Sequence, residues 1–120
     1  MPKKILIVDD EEQIRDLLIR LLKRNYDTLS AQNGREALEI SRGNSDLSLV
    51  LMDTDMPGLN GYEVCKLLRD EGYNGIIIGM SGNHGIEYKK RWQEARANDF
   101  IEKPFLIDTI SKKIKQYLGE

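Results

Sequence analysis

The sequence predicts a doubly wound α/β fold, in which helices cover both faces of a five-stranded parallel sheet. Short, continuous apolar runs alternate with longer segments of helical periodicity. A run that is apolar at every position is typical of a strand buried on both faces. Each connection between runs is long enough to hold a helix, as the crossovers between parallel strands require. We therefore expect residues 1–120 to form one domain.

The strands are predicted from apolar runs that are too short for helices. Four continuous runs lie at residues 5–8, 49–52, 76–78 and 100–101. A weaker run at residues 28–31 is a candidate edge strand. A helical segment follows each run, so the chain consists of five strand–helix units without an internal sequence repeat.

Three helices are predicted from the spacing of their apolar residues. The first and last have the clearest pattern: Ile14, Leu17, Leu18 and Leu21 after Asp10, and Ile107, Ile110, Ile114 and Leu118 near the end of the chain. Residues 86–95 predict a fourth helix in chain order that is less cleanly amphipathic.

The second and third helices are predicted from their start and stop signals. Asn33 with Glu36, and Asn60 with Glu63, resemble capping boxes, in which the two side chains satisfy free amides at a helix start. Glycines are predicted to end these helices: Gly43 and Gly72.

Composition limits the classes of function. A chain of 120 residues, 40% hydrophobic and 32% charged, can bury one core without a disulfide or structural metal. Its net charge of -2 gives no general attraction to nucleic acid or to an acidic membrane face. Cys65 is the only cysteine, which excludes an intramolecular disulfide, and its neighbours predict a buried helix thiol. Without an export or anchoring signal, we expect a cytoplasmic protein that binds neither membrane nor nucleic acid directly.

Acidic residues follow two of the predicted strands. Asp9 and Asp10 follow the first run, Asp53 follows the third, and Asp55 lies in the same loop as Asp53. In this fold class, ligands bind beyond the carboxyl ends of the strands. Carboxylates brought together there cannot all stay ionised without a cation, and an oxygen-lined site of this kind suits Mg²⁺.

Complementary polar residues follow the other two strong runs. Ser81 offers a hydroxyl donor and Lys103 a compact positive charge, which suit the oxygens of a phosphoryl group. Pro104 follows Lys103, and a cis peptide bond between them would aim the lysine inward. The sequence therefore predicts a magnesium-dependent phosphoryl site at one edge of the sheet.

Four segments together resemble the motifs of response-regulator receiver domains: KILIVDDEE, LVLMDTDMPGLNGYEV, IIIGMSG and ANDFIEKPF. The resemblance covers the whole chain. It implies a flavodoxin-like fold, similar to that of chemotaxis regulators, with the strand order 2-1-3-4-5.

The resemblance implies a role for each acidic residue. Asp53 would be the phosphoacceptor and Asp10 a direct ligand of Mg²⁺. Asp9 would support the metal, often through water, and the backbone carbonyl of Asp55 would complete the set of protein ligands.

The resemblance also implies a switch. Ser81 would be the hydroxyl that moves toward the phosphoryl group, Phe100 the aromatic whose rotamer follows it, and Lys103 the phosphoryl-contacting lysine. Two positions depart from the common pattern. Gly82 stands where a small Ala is usual, and Arg96 stands where Gly commonly ends the fourth helix, so the backbone there would be strained if it keeps a positive φ.

The function implied is two-component phosphorelay signalling. A sensor histidine kinase or histidine phosphotransfer protein would phosphorylate Asp53, and the face formed by the fourth helix, fifth strand and fifth helix would change. The chain would assist its own phosphorylation and dephosphorylation, with Asp55 and Asn83 placed to influence the attacking water. The sequence fits a stand-alone receiver as well as a piece of a larger regulator.

Two other classes were compared with this interpretation. Asp53-Thr54-Asp55 is similar to the first motif of haloacid-dehalogenase-type phosphatases, but it lies mid-chain, Pro57 replaces the usual Thr or Val, and no cap domain fits. A flavodoxin-like nucleotide binder needs a phosphate loop after the first strand, where this chain has four acidic residues.

Two further residues are open to more than one interpretation. Trp92 is spaced to pack partly against the core or to form an exposed partner-binding face. His84 is the only histidine and is expected to lie exposed in the loop after Ser81, without a catalytic partner.

Overall fold

The computed structural model describes residues 2–82 and 86–120. Five parallel strands form one sheet in the order β2-β1-β3-β4-β5, and five helices connect or follow them. The strands are β1 (Lys4–Val8), β2 (Asp27–Ala31), β3 (Leu47–Asp53), β4 (Ile76–Ser81) and β5 (Asp99–Glu102). The helices are α1 (Glu12–Leu22), α2 (Gly34–Gly43), α3 (Gly61–Asp70), α4 (Ile86–Glu94) and α5 (Ile107–Leu118). The predicted fold class and strand order are confirmed.

The sheet separates two apolar cores because alternate side chains of each strand point to opposite faces. One core contains strand residues packed with α2, α3 and α4: Leu6, Val8, Val50, Met52 and Ile77. The other contains the alternate residues, packed with α1 and α5: Ile5, Ile7, Leu49, Leu51 and Ile78. Burial on both faces explains why the central strands are apolar at every position. The edge strand β2 is only partly buried, in agreement with its mixed sequence.

The predicted cap at the start of α3 is confirmed in full, and the cap of α2 in part. Asn60 Oδ1 accepts a hydrogen bond from the Glu63 N–H at 2.9 Å, and Glu63 Oε1 accepts from the Asn60 N–H at 3.0 Å. Asn33 Oδ1 likewise accepts from the Glu36 N–H at 2.9 Å, but Glu36 Oε1 accepts from the Gln32 N–H instead. At the start of α2, the hydrogen bond to the Glu36 carboxylate therefore comes from Gln32, one residue before the Asn33 cap.

The helix ends follow the predicted stops. Gly43 is the last residue of α2, and Gly72 follows α3 with a φ of 95°. Arg96 follows α4 with a φ of 70°, in the left-handed region that favours glycine. Arg96 therefore keeps the positive φ under which the sequence predicts backbone strain, because this conformation is disfavoured for a residue with a Cβ atom.

Trp92 belongs to the core, which decides between its two interpretations. Its side chain is 1% exposed, and its ring centroid lies 4.5 Å from that of Tyr62. The ring occupies the space above Gly79, where a Cβ atom would lie 2.2 Å from it. A glycine in the middle of β4 thus makes room for the tryptophan of α4. Cys65 is also buried, as predicted.

Candidate functional site

Three carboxylates meet where β1 and β3 end. These strands are neighbours and pair Val8 with Met52, so the residues that follow, Asp9 and Asp53, lie side by side. Carboxylate oxygens of Asp9, Asp10 and Asp53 lie within 4.8 Å of one another. Asp9 is fully buried, Asp53 is 3% exposed, and Asp10 is exposed to solvent. The predicted acidic cluster is therefore present, with one side open to solvent.

Lys103 reaches this cluster from the end of β5. Its Nζ donates to Asp9 Oδ2 at 2.8 Å and to Asp53 Oδ1 at 2.9 Å. The peptide bond between Lys103 and Pro104 is cis, as the sequence suggested. One ammonium group thus contacts two of the three carboxylates.

Burial dominates the electrostatics of Asp53. Desolvation raises the pKa of Asp53 to about 7, and the negative charges of Asp9 and Asp10 act in the same direction, while Lys103 opposes them. Burial also lowers the pKa of Lys103, but its bonds to Asp9 and Asp53 outweigh this and leave it raised. The lysine therefore stays charged, and a further cation would favour ionised Asp53.

Asp9 also organises the start of α1. Its Oδ1 accepts from the Glu11 N–H at 2.9 Å, and Arg15 Nη1 donates to the Asp9 carbonyl at 2.7 Å. The Asp9 carboxylate therefore satisfies a backbone amide just before the first turn of α1. Within the described part of the chain, the Asp10 carboxylate accepts no hydrogen bond, so its oxygens remain available to a ligand.

Two residues that support Asp53 were not anticipated from the sequence. Thr54 is buried, and both its N–H and its Oγ1 donate to the Met80 carbonyl, at 3.0 and 2.9 Å. Gly61 lies against Asp53, since a Cβ atom there would be 2.0 Å from the Asp53 carbonyl oxygen. The available signal was the glycine that begins α3, but nothing in the sequence shows which backbone it approaches.

The other residues predicted for the site differ in where the structure places them. Ser81 is buried at the end of β4, and its carbonyl accepts from the Lys103 N–H at 2.7 Å. Phe100 is half-buried on β5. The Asp55 side chain is exposed and lies outside the carboxylate cluster. Asn83 and His84 fall outside the described residues.

A groove adjoins the open side of the cluster. It has a volume of about 680 Å³ and extends from Asp10 between the start of α2 and the loop before α3. Leu38 and Leu59 contribute its apolar surface, and Arg35 lies at the same groove. The site is thus reachable from solvent beside Asp10.

Comparison with known proteins identifies the family. The model of the response regulator receiver domain matches residues 5–115. The chain belongs to the response regulator receiver domain family. The receiver is 38% identical over 120 residues to sporulation initiation phosphotransferase F of Bacillus subtilis, covering 98% of this chain and 95% of that protein. It is 34% identical over 119 residues to response regulator MprA of Mycolicibacterium vanbaalenii, covering 98% of this chain and 51% of that protein.

Solved structures agree with this assignment. The Vibrio cholerae chemotaxis protein CheY4 superimposes with a TM-score of 0.91 at 26% identity, covering 98% of the receiver and 99% of that chain. The receiver spans about half the length of several curated relatives, MprA among them. The matches support a function in two-component signalling and give no support to the phosphatase alternative. Among the described residues, no helix is long and apolar enough to cross a membrane.

Proposed function

We propose that this receiver is a reversible phosphoacceptor and that Asp53 carries the phosphoryl group. The observation that supports this most strongly is a buried carboxylate at the end of β3, with the Lys103 ammonium 2.9 Å away and two further acids beside it. The phosphodonor is a phosphohistidine on a sensor histidine kinase or a histidine phosphotransfer protein. The chain assists its own phosphorylation and dephosphorylation and acts on no separate substrate.

The donor set fits Mg²⁺. Three carboxylates cluster around one ammonium that pairs with two of them, which leaves an excess of negative charge, and Asp10 faces solvent. Mg²⁺ favours a few carboxylate ligands and retains several waters, which such an open cluster permits. Asp10 and Asp53 would hold the ion, Asp9 would support it through water, and the Asp55 carbonyl would be a further ligand. When bound, Mg²⁺ offsets the charge on the phosphoryl oxygens.

The transfer is an in-line displacement. An oxygen of ionised Asp53 forms a bond to phosphorus, while the P–N bond of the phosphohistidine breaks and its electron pair stays on the imidazole nitrogen. Lys103 exchanges its contact with Asp53 for one with the phosphoryl oxygens, and the Ser81 hydroxyl donates to another of them. Since little covalent chemistry is needed, catalysis consists mainly of positioning and charge stabilisation.

Water resets the receiver by hydrolysing the acyl phosphate, which releases inorganic phosphate and restores the Asp53 carboxylate. Asp55 and Asn83 influence the position of that water. An unchanged lifetime of the phosphorylated form in variants of both residues would contradict this part of the proposal.

Phosphorylation alters the face formed by α4, β5 and α5, and the Phe100 ring changes rotamer with it. The added charge of about -1.5 to -2 and the new acceptor oxygens draw in Ser81 and Lys103. The altered face binds a downstream protein or an output domain. The receiver acts in the cytoplasm and contacts neither membrane nor nucleic acid itself.

The test is intact mass spectrometry after incubation with Mg²⁺ and acetyl phosphate. We expect one added phosphoryl group on the wild type, none on Asp53→Asn, and loss of labelling with EDTA. Asp16→Asn, which removes an exposed carboxylate of α1, is the matched control and should label normally. An unlabelled wild type, or equal labelling of Asp53→Asn, would overturn the proposal, whereas turnover of phosphate monoesters would favour a phosphatase.

A further inference from the structure

Tyr88 joins helix α4 to strand β5. Its side chain is 3% exposed, and its hydroxyl donates to Glu102 Oε1 at 2.6 Å. Its ring meets Phe100 edge-on, with centroids 5.3 Å apart. Phe100 and Glu102 are two residues apart on β5, so they point to the same face, toward α4. The helix therefore contacts both residues through one side chain.

The strand segment that accepts this hydrogen bond also carries the lysine of the phosphorylation site. Glu102 pairs in register with Ser81 on β4, and the next residue, Lys103, donates its N–H to the Ser81 carbonyl at 2.7 Å. The Lys103 side chain contacts Asp53. A displacement of Lys103 toward a phosphoryl group would therefore act directly on the backbone beside Glu102.

We propose that the hydrogen bond between Tyr88 and Glu102 is a latch that holds α4 against β5 in the unphosphorylated receiver and opposes the change that follows phosphorylation of Asp53. The inference rests on the proposed function of Asp53. In the structure Lys103 donates to Asp9 and Asp53, as suits the unmodified site. A bond present in only one of two conformations shifts the equilibrium toward that conformation by its own free energy.

The character of the bond suits a latch. Hydrogen bonds to an ionised acceptor are short and stronger than neutral ones. Burial, together with the bond to Glu102, raises the pKa of Tyr88 to about 12, so the hydroxyl remains a donor at physiological pH. Tyr88→Phe removes the donor and retains the ring that packs against Phe100. This substitution therefore isolates the hydrogen bond from the packing.

A matched pair at the other end of β5 provides the control. Tyr117 of α5 donates to Asp99 Oδ2 at 2.9 Å, which is also a tyrosine-to-carboxylate bond from a helix to β5. Asp99 begins the strand, at the end remote from Lys103. Tyr117→Phe thus removes the same kind of bond without touching the segment beside the site.

Trp92 supplies a direct readout. It is the only tryptophan, and it lies on α4 one helical turn beyond Tyr88, buried against Tyr62. We would titrate each protein with beryllium fluoride, a phosphoryl mimic, in the presence of Mg²⁺ and follow Trp92 fluorescence. Intact mass after acetyl phosphate treatment would follow covalent labelling in parallel.

We expect Tyr88→Phe to lower the half-saturating concentration of beryllium fluoride by roughly three- to tenfold, because the unmodified conformation loses a charge-assisted hydrogen bond. Glu102→Gln should shift it in the same direction by less, and the double variant should exceed the Tyr88→Phe effect only slightly, because both substitutions remove the same bond. Tyr117→Phe should remain within about twofold of the wild type.

Unchanged or weakened binding in Tyr88→Phe, or an equal gain in Tyr117→Phe, would overturn the latch. These failures differ from a failure of the proposed function, in which the wild type itself would show neither Mg²⁺-dependent fluorescence change nor labelling. Circular dichroism of each variant establishes that it is folded before the comparison is made.

Discussion

The two ends of the sheet differ in how fully their charged side chains are paired. At the carboxyl ends, the ammonium of Lys103 pairs with Asp9 and Asp53, and Asp10 adds a third carboxylate to the same cluster. At the other end, before β4 and β5 begin, the guanidinium of Arg69 has hydrogen-bond acceptors for most of its N–H groups. It donates to four acceptors in the loops around it, at 2.7 to 2.9 Å: the carbonyls of Arg96, Tyr73 and Gly75 and Oδ1 of Asn98.

The difference separates the proposed phosphoacceptor site from a region that stabilises the fold. Like charges held together destabilise a folded chain until a cation joins them, and such costs are typical of functional sites. A guanidinium that closes several loops satisfies carbonyls that would otherwise lack partners. Asn98 extends this hydrogen-bond network, since its Oδ1 also accepts from the Ile77 N–H at the start of β4. We therefore expect substitutions at the two ends to have opposite effects on stability.

The largest effect is expected at the Arg69 end. Arg69→Met should lower the free energy of unfolding by about 2–4 kcal/mol, because four hydrogen bonds are lost and two of them, to the carbonyls of Tyr73 and Gly75, are partly buried. Urea denaturation measures this, with Arg35→Met on the exposed surface of α2 as the control. Acetyl phosphate labelling of the folded variant should match the wild type. If fully folded Arg69→Met lost its labelling by acetyl phosphate, the two ends of the sheet would not be independent.

A smaller effect of opposite sign is expected at the acidic end. Asp53→Asn should raise the free energy of unfolding by about 1–2 kcal/mol at pH 8 in EDTA, because it removes a charge whose ionised form is disfavoured by burial. Excess Mg²⁺ should stabilise the wild type more than the variant and so reduce or reverse the difference. If the wild type and Asp53→Asn were equally stable in EDTA, or responded equally to Mg²⁺, the acidic cluster would not destabilise the fold as expected.

How far the sequence could predict these two ends depends on the kind of contact. The acidic end was predictable because each of its side chains lies within two residues of the end of an apolar run, and parallel strands end at a common edge. Asn60 was predictable as a cap because its partner Glu63 lies three residues away. Local spacing and strand ends therefore account for most of the candidate site.

Contacts between distant residues were not predictable in the same way. The acceptors of Arg69 are mostly backbone carbonyls, which carry no sequence signal. The bond between Tyr88 and Glu102 joins residues 14 positions apart, and its existence depends on how α4 lies on β5. Trp92 had two interpretations until the structure placed it over Gly79. The sequence alone does not show which helix side chain packs above a glycine in a strand.

The smallest effect concerns Asp99, a paired carboxylate at the start of β5, and its pH dependence tests the comparison without removing Arg69 or any residue of the acidic cluster. Burial raises the pKa of Asp99, but its bonds from Lys113, the Phe100 N–H and Tyr117 outweigh this and leave it below the ordinary value. A lowered folded-state pKa gives stability that is present above the unfolded-state pKa of about 4 and is lost as pH falls through the folded-state value. Asp99→Asn should therefore cost about 1 kcal/mol at pH 7, and the difference should shrink below pH 4 in thermal or urea unfolding. The exposed control Asp16→Asn should show little pH-dependent difference, and a cost for Asp99→Asn that persists unchanged at pH 2–3 would mean that packing, rather than charge, holds this residue.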